Sequence, residues 1–421
     1  MIERLDFAPA DPAYPPSYRT NDRWVADDPA LAAELFALLG ALPAEQIDAA
    51  GDRWRLSRLN PRMRACRYRP GQWFGIHRDG VCHISARERS FLSVLVYLDE
   101  GFGGGETRFF ADRDGRTVTR TIAPSTGTTA VFDHALWHDG APVSAGIKHV
   151  LRTDVMYTRV EAHDREGHLG YVWSLAAAGA LLASGGRDKT IKLWREGRCI
   201  SSTRAHDASV TCLAVIDATT LVSGSRDRSV KTWRITGEEL ELVSTATPHD
   251  GAVLAVMALR NEIVSAGADG VVATAGGARE RRHQGWIWGL AELDGSIVSV
   301  GEDGLLVIGS RVIDLGVPLL CVARTDDGLV IGARDGRIFV VSRSGEVLRW
   351  FRAHAAAVTC VTARPNGEIA SGGEDDAVRV WSRHGALIGE EAHRDFVRAV
   401  CSLPDGRLAS AGYDSTIAHG G

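Results

Sequence analysis

The 421-residue chain has no long hydrophobic run, no strong net charge and no CxxC pair among its 7 cysteines. An odd cysteine count without paired spacing argues against a disulfide framework. No stretch stays apolar for the length a bilayer requires. The start, MIERLDFAPADPAYPP, lacks a cationic region followed by an apolar one. A cytoplasmic protein with reduced thiols and no membrane partner is therefore expected. The net charge of −5 gives no field that would gather nucleic acid. What is present is ordinary for globular domains: 45% apolar and 24% charged residues, in a chain long enough for two or three cores.

The chain changes character near residue 160. Residues 1–160 hold 20 basic and 20 acidic side chains and do not repeat, whereas residues 161–421 hold 28 and 33 and do. The repeat is legible in its aspartates: Asp188, Asp227, Asp269, Asp303, Asp335, Asp375 and Asp414, spaced 32 to 42 residues apart. A histidine stands 20 or 21 positions before six of them (His168, His206, His249, His283, His354 and His393); the fifth has Leu315 there. Six positions after the aspartate comes Trp194, Trp233 or Trp381 in the first, second and sixth copies. Between these markers short apolar strands such as VTCLAV, TLVSGS and SVKTW alternate with Gly, Ser and Asp turns.

These copies resemble WD repeats, the units of β-propellers in which each copy supplies four strands. The resemblance covers about residues 161–421 and implies seven blades. The third to fifth copies depart from the pattern by their shortness and missing tryptophan. It also implies that the histidines and aspartates form hydrogen-bond networks within the blades, not metal sites, and that this half recruits a protein partner or substrate. The seventh copy ends without a fourth strand, and open sheet edges are generally avoided. The segment within Tyr157–Gly167, around Thr158–His163, is expected to supply it.

The first half carries a different signal. Residues two apart on an extended segment point the same way, so His77 and Asp79 can share one ion. With His138 they would give two imidazoles and one carboxylate, a donor set that suits non-haem Fe(II) and leaves one face open. Around them the pattern predicts a helix over 28–41, with Asp27 or Asp28 as cap, Pro29 in its first turn and Gly40 near its end. From Arg62 onward it predicts strands, including SFLSVLVYL (90–98), TRFF (107–110), TTAVF (128–132) and VLRTDVMY (150–157). A helix packed on such strands suggests an antiparallel barrel or sandwich with a ligand in its mouth.

Four segments, YRPGQWFGIHRDG (68–80), YLDEGFGGGETRFF (97–110), VFDHALWHDGAPV (131–143) and GIKHVLRTDVMY (146–157), resemble Fe(II)- and 2-oxoglutarate-dependent dioxygenases. The nearest subgroup is the prolyl-4-hydroxylase-like one. The resemblance covers about residues 60–157 and implies a double-stranded β-helix, or jelly roll. It implies His77, Asp79 and His138 as catalytic metal ligands, 2-oxoglutarate and O2 in the open positions, and ascorbate as a reductant for the iron. Lys148, ten residues after His138 within G-x-K, matches the cation that meets the cosubstrate's distal carboxylate. Arg152, four residues further on the same side of a strand, is its rival and would grip a carboxylate as a fork. Tyr68 resembles the tyrosine that hydrogen-bonds the cosubstrate. His83, His134 and His149 read as non-ligands, and Glu106 as a turn residue. Seven arginines between residues 53 and 69 read as a solvated strand face paired with acids; the alternative is a groove for an acidic peptide or a nucleic-acid backbone.

The chain thus reads as mainly β, with a dioxygenase domain over residues 1–157 and a propeller over 158–421. The resemblance implies hydroxylation of a protein side chain such as proline, with release of succinate and CO2. Two other readings stay open. One is nucleic-acid dealkylation, which the net charge disfavours; the other is a non-catalytic scaffold with a vestigial oxygenase half.

Overall fold

The computed structural model describes residues 5–9, 20–40, 42, 46–49, 52–85, 87–160, 167–260 and 262–420. The chain divides into two compact units, Met1–Asp164 and Arg165–Gly421. In the first unit the elements run β1 (Asp22–Asp27), α1 (Pro29–Leu39), β2 (Gln46–Ala49), β3 (Asp52–Leu59) and β4 (Arg62–Tyr68). Then come β5 (Phe74–His77), β6 (His83–Ser85), β7 (Glu88–Tyr97), β8 (Gly103–Gly104) and β9 (Thr107–Phe110). The unit ends with β10 (Val118–Ile122), β11 (Thr129–Asp133), β12 (Trp137–Gly140), β13 (Val143–Ala145) and β14 (Lys148–Arg159).

Strand β14 is the spine of the larger sheet. One edge pairs antiparallel with β4 and then β3, and the other with β7. A second sheet has the order β10-β9-β12-β5. The helix begins where the sequence places it: the Asp28 carboxylate accepts the Leu31 amide at 2.9 Å, and Pro29 occupies the first turn. It closes at Gly40, whose φ of +61° suits a residue without Cβ. Leu31, Leu35, Phe36 and Leu39 pack on a core of Trp54, Met63, Phe91, Val94 and Tyr157. Phe91 meets Trp54 and Tyr157 edge-on, with centroids 5.6 and 5.4 Å apart, the geometry that aromatic quadrupoles favour.

Five of the seven clustered arginines pair with acids: Arg58 with Glu88, Arg62 with Asp27, Arg64 with Asp154, and Arg67 and Arg69 with Asp22. Arg58, Arg62 and Arg69 stay about half exposed, so the cluster forms a solvated face paired with acids.

The second unit contains, among the described residues, six four-stranded antiparallel sheets and one three-stranded sheet at the C-terminal end. Their first strands neighbour one another in order, and Val397–Ser402 of the last lies beside Val172–Ala178 of the first, so the series closes on itself. Close approach between sheets explains the Gly in motifs such as SGS. A Cβ on Gly224 would sit 2.6 Å from both Cys212 Sγ and Val253 Cγ1. The expected His–Asp networks are formed: His168 Nδ1 lies 3.0 Å from both Asp188 oxygens, and its Nε2 lies 2.7 Å from Ser184 Oγ. The same serine accepts the Trp194 indole N–H at 2.7 Å. His206, Asp227, Ser223 and Trp233 repeat this arrangement, as do His354, Asp375, Ser371 and Trp381. The serine is a member of the network that the spacing pattern did not expose.

One expectation is corrected. Thr158 and Arg159 do not complete the seventh sheet; they end β14, paired with Arg55 and Trp54 of β3. The Val160 amide donates to Arg53 O at 2.8 Å, so the backbone groups of this segment are already spent in the first unit. The remainder of that segment, residues 161–163, lies outside the described residues, and the seventh sheet shows three strands among those described.

Candidate metal centre

Two neighbouring strands and one short loop bring the histidines and the aspartate together. His138 of β12 is the direct cross-strand partner of His77 of β5. Asp79 follows two residues after His77, and its amide donates to His134 O at 3.1 Å, which fixes the loop. All three side chains are buried, and one potential ligand atom from each lies within 4.8 Å of the others. His77 Nε2 is 3.5 Å from one Asp79 oxygen and His138 Nε2 is 3.7 Å from the other.

The supporting shell orients these groups. His77 Nδ1 sits 2.7 Å from Gly75 O, and His138 Nδ1 sits 3.0 Å from Leu136 O. A ring that donates from Nδ1 to a carbonyl presents an Nε2 lone pair, the form that ligates a metal. Phe74 stacks on His77 at 3.8 Å, and Phe132 meets His138 edge-on at 4.7 Å. Burial pushes the His138 imidazole down to about 4, so it is neutral at pH 7. Burial alone would raise the Asp79 carboxyl, but the Arg152 guanidinium and the two imidazoles outweigh it and hold Asp79 well below the usual carboxylate range. The donor set is therefore two imidazoles, that of His138 neutral at pH 7, and one ionised carboxylate, the composition that fits a divalent iron site.

Arg152 is placed differently from its role as a cosubstrate fork. Its Nη2 lies 2.6 Å from Asp79 Oδ1 and 3.9 Å from Asp154 Oδ1. Ser93 Oγ donates to the other Asp79 oxygen. Asp154, almost fully buried, also accepts from Asn60 and Arg64, each at 3.0 Å. Ser93, Asn60 and Asp154 were not singled out in the sequence. The available signal was weak: an Asp two residues after Arg152 on a strand shares its face.

Lys148 is 2% exposed, and its Nζ donates to Gly105 O at 2.6 Å. No carboxylate lies within 4.0 Å of it among the described residues, and burial pushes the ammonium down to about 8. The Tyr68 and Tyr97 rings lie 4.8 and 5.3 Å from Nζ, with Tyr68 directly across the strand pair. The glycine run positions this corner: Gly104 has φ +71°, and a Cβ there would collide with Pro142 O. Of the other histidines, His134 is buried with Nε2 4.0 Å from Asp154, and His149 Nδ1 bonds Asp99 at 2.5 Å. His83 lies on β6, and the only clustered potential ligands among the described residues are His77, Asp79 and His138. Glu106 accepts the Ala141 amide at its carbonyl, a strand-edge role.

Comparison with known proteins accords with this geometry. The family model for the 2OG-Fe(II) oxygenase superfamily matches residues 63–153. That for the WD domain, G-beta repeat, matches 160–195, 197–234, 345–382 and 386–418, leaving the tryptophan-poor third to fifth copies between matches. Protein DOA1 of Saccharomyces cerevisiae is 27% identical over 142 residues, which cover 32% of this chain and only 16% of that protein. Among solved structures, the WD40 β-propeller domain of Doa1 superposes with a TM-score of 0.55 at 22% identity, covering 61% of this chain and 94% of the other. The RRP9 WD40 repeats give 0.54 at 20% identity, covering 58% and 88%. The chain carries a 2OG-Fe(II) oxygenase domain followed by WD40 repeats with a propeller fold.

Proposed function

We propose that the first unit is an Fe(II)- and 2-oxoglutarate-dependent oxygenase of the prolyl-4-hydroxylase-like subgroup, built on a jelly roll, with the second unit a seven-bladed propeller that recruits its substrate. The observation that carries this reading is a buried His77–Asp79–His138 cluster in the same domain as Lys148, a buried cation with no carboxylate partner among the described residues. In this reading His77, Asp79 and His138 hold iron, which with bound 2-oxoglutarate supplies the O2 activation needed for hydroxylation, succinate and CO2 being released. Gly75 O and Leu136 O keep both rings in the ligating tautomer. Arg152 and Ser93 keep Asp79 ionised and fixed, so Arg152 acts on the ligand and Lys148 is the main anchor for the distal carboxylate of 2-oxoglutarate. The Tyr68 and Tyr97 rings wall that corner and limit water around the ammonium, which strengthens a charge-assisted pair there.

A protein side chain such as proline is the proposed target, and the cytoplasm the proposed location. The deciding experiment is succinate release by the purified protein with Fe(II), O2, 2-oxoglutarate and ascorbate, across prolyl peptides, whole proteins and methylated oligonucleotides. Stimulation by prolyl peptides or proteins supports the proposal. Stimulation by the oligonucleotides alone moves the enzyme to dealkylation, and none with any panel, iron being bound, leaves a scaffold.

A further inference from the structure

The fourth sheet contains a small internal template. Trp288 Nε1–H donates to Glu302 at 2.8 Å, and Arg334 of the next sheet donates to the same carboxylate oxygen at 2.6 Å. Glu302 immediately precedes the repeat aspartate Asp303, Arg334 precedes Asp335, and Trp288 lies on the first strand of its sheet. The same three positions three sheets earlier, in the first and second sheets, are Trp173, Arg187 and Arg226. Matching backbone bonds establish the equivalence: Arg187 N donates to Tyr171 O at 2.8 Å, as Glu302 N does to Trp286 O at 2.8 Å.

Here the carboxylate is missing, because its place is taken by Arg187. Among the described residues, Trp173 Nε1 is buried without an acceptor, and so is Arg398 Nε from the seventh sheet. Arg226 and Arg398 lie over the Trp173 ring at 5.1 and 5.2 Å, and Arg187 over Tyr171 at 5.0 Å. None of the three guanidinium groups has a carboxylate within 4.0 Å among the described residues. The nearby repeat aspartates do not serve them: Asp188 and Asp227 are spent on His168, His206 and adjacent amides. Tyr171 stacks on Tyr413 at 3.9 Å and 9°, so a flat aromatic rim adjoins the three cations.

From this we infer that the Trp173–Arg226–Arg398 cluster is a docking site for an acidic peptide, whose Asp or Glu carboxylate fills the position Glu302 occupies in the fourth sheet. A free donor in a buried setting is costly until an acceptor arrives, and this one is ringed by cations. A short acidic segment fits better than a nucleic acid. Residues 161–421 hold 33 acidic against 28 basic side chains, so a long polyanion would meet repulsion beyond these three arginines. The inference rests on reading the repeats as a recruiting module and is independent of the oxygenase chemistry.

The test uses the full chain without added iron, so a failed oxygenase reading leaves it intact. Labelled protein is applied to an array of randomised octapeptides, with Asn/Gln counterparts, phosphoserine versions and a single-stranded oligonucleotide as controls. Enrichment of Asp or Glu is expected. Trp173→Phe, which removes the indole N–H together with part of the ring, and Arg398→Gln should each weaken binding by roughly tenfold or more, as expected for a lost hydrogen bond to a charged group. Arg187→Glu should abolish the preference by supplying the carboxylate internally, with the unfolding midpoint unchanged or raised. No acidic enrichment, enrichment that survives Arg187→Glu, or tighter binding of phosphopeptide or oligonucleotide would overturn the assignment.

Discussion

Replacing Lys148 by Met separates a functional cation from a structural one. The side chain is 2% exposed, and its ammonium is displaced from 10.5 to about 8, chiefly by burial. At 1.36 kcal/mol per unit, holding this charge at pH 7 costs the unliganded fold roughly 3 kcal/mol. Methionine of similar length removes that cost but leaves Gly105 O without its donor, a loss of about 1–2 kcal/mol. The variant's first unit should therefore be more stable by roughly 1–2 kcal/mol, which raises its unfolding midpoint by about 2–8 °C. Binding should move the other way. Loss of a buried charge-assisted pair costs about 2–5 kcal/mol, so 2-oxoglutarate should bind roughly 30- to several-thousand-fold more weakly. Calorimetric melting, with and without 2-oxoglutarate and a redox-inert divalent metal, reads both effects on one sample. The wild type should gain stability from the cosubstrate and the variant should not. A variant that melts lower and binds 2-oxoglutarate normally would refute the reasoning. The same displacement predicts a pH dependence: the ammonium loses its proton as pH rises through about 8, so cosubstrate affinity is constant below that range and falls above it.

Arg152→Met should leave 2-oxoglutarate affinity far less changed than Lys148→Met does. By releasing the restraint on the Asp79 carboxyl it should also move acid-induced iron loss to higher pH, read by metal titration across pH. Ser223→Ala leaves His206 Nε2 and Trp233 Nε1 buried without their shared partner. It should cost about 2–4 kcal/mol, visible as a lower denaturation midpoint of the second unit with the first unchanged. Acidification should weaken the second unit as well. Burial opposes ionisation of Asp188, but His168 and neighbouring donors outweigh it and hold the carboxyl at about 2 against an ordinary 3.8. The stability this confers is present above about pH 4 and is lost as pH falls toward 2, and Asp188→Asn should flatten that limb of the melting-against-pH curve.

Much of the candidate site was legible because its parts obey short-range rules. H-x-D places two donors on one side of a strand, and Lys148 falls in a motif of fixed spacing from His138. The capping Asp28, Pro29 and Gly40 marked the helix for similar local reasons. Arg152 stood as a rival to Lys148 because sequence spacing tells which side of the strand it occupies, not what stands opposite. Opposite it stands Asp79, brought there by a loop tied to His134 O. The repeat serines were missed because Ser is common in turns and strands alike, and only the folded sheet shows it receiving both the histidine and the tryptophan. The segment after Tyr157 was misassigned for a related reason: a missing strand in the last sheet suggested a donor, yet Thr158 and Arg159 already had partners in β3.

The most direct test of the central claim is Fe(II) binding under anaerobic conditions by the wild type and by His77→Ala, His138→Ala and His134→Ala. The account predicts one iron per chain for the wild type and for His134→Ala, and loss of binding in the other two. Iron retained by His138→Ala but lost from His134→Ala, or no iron bound by the wild type, would contradict it.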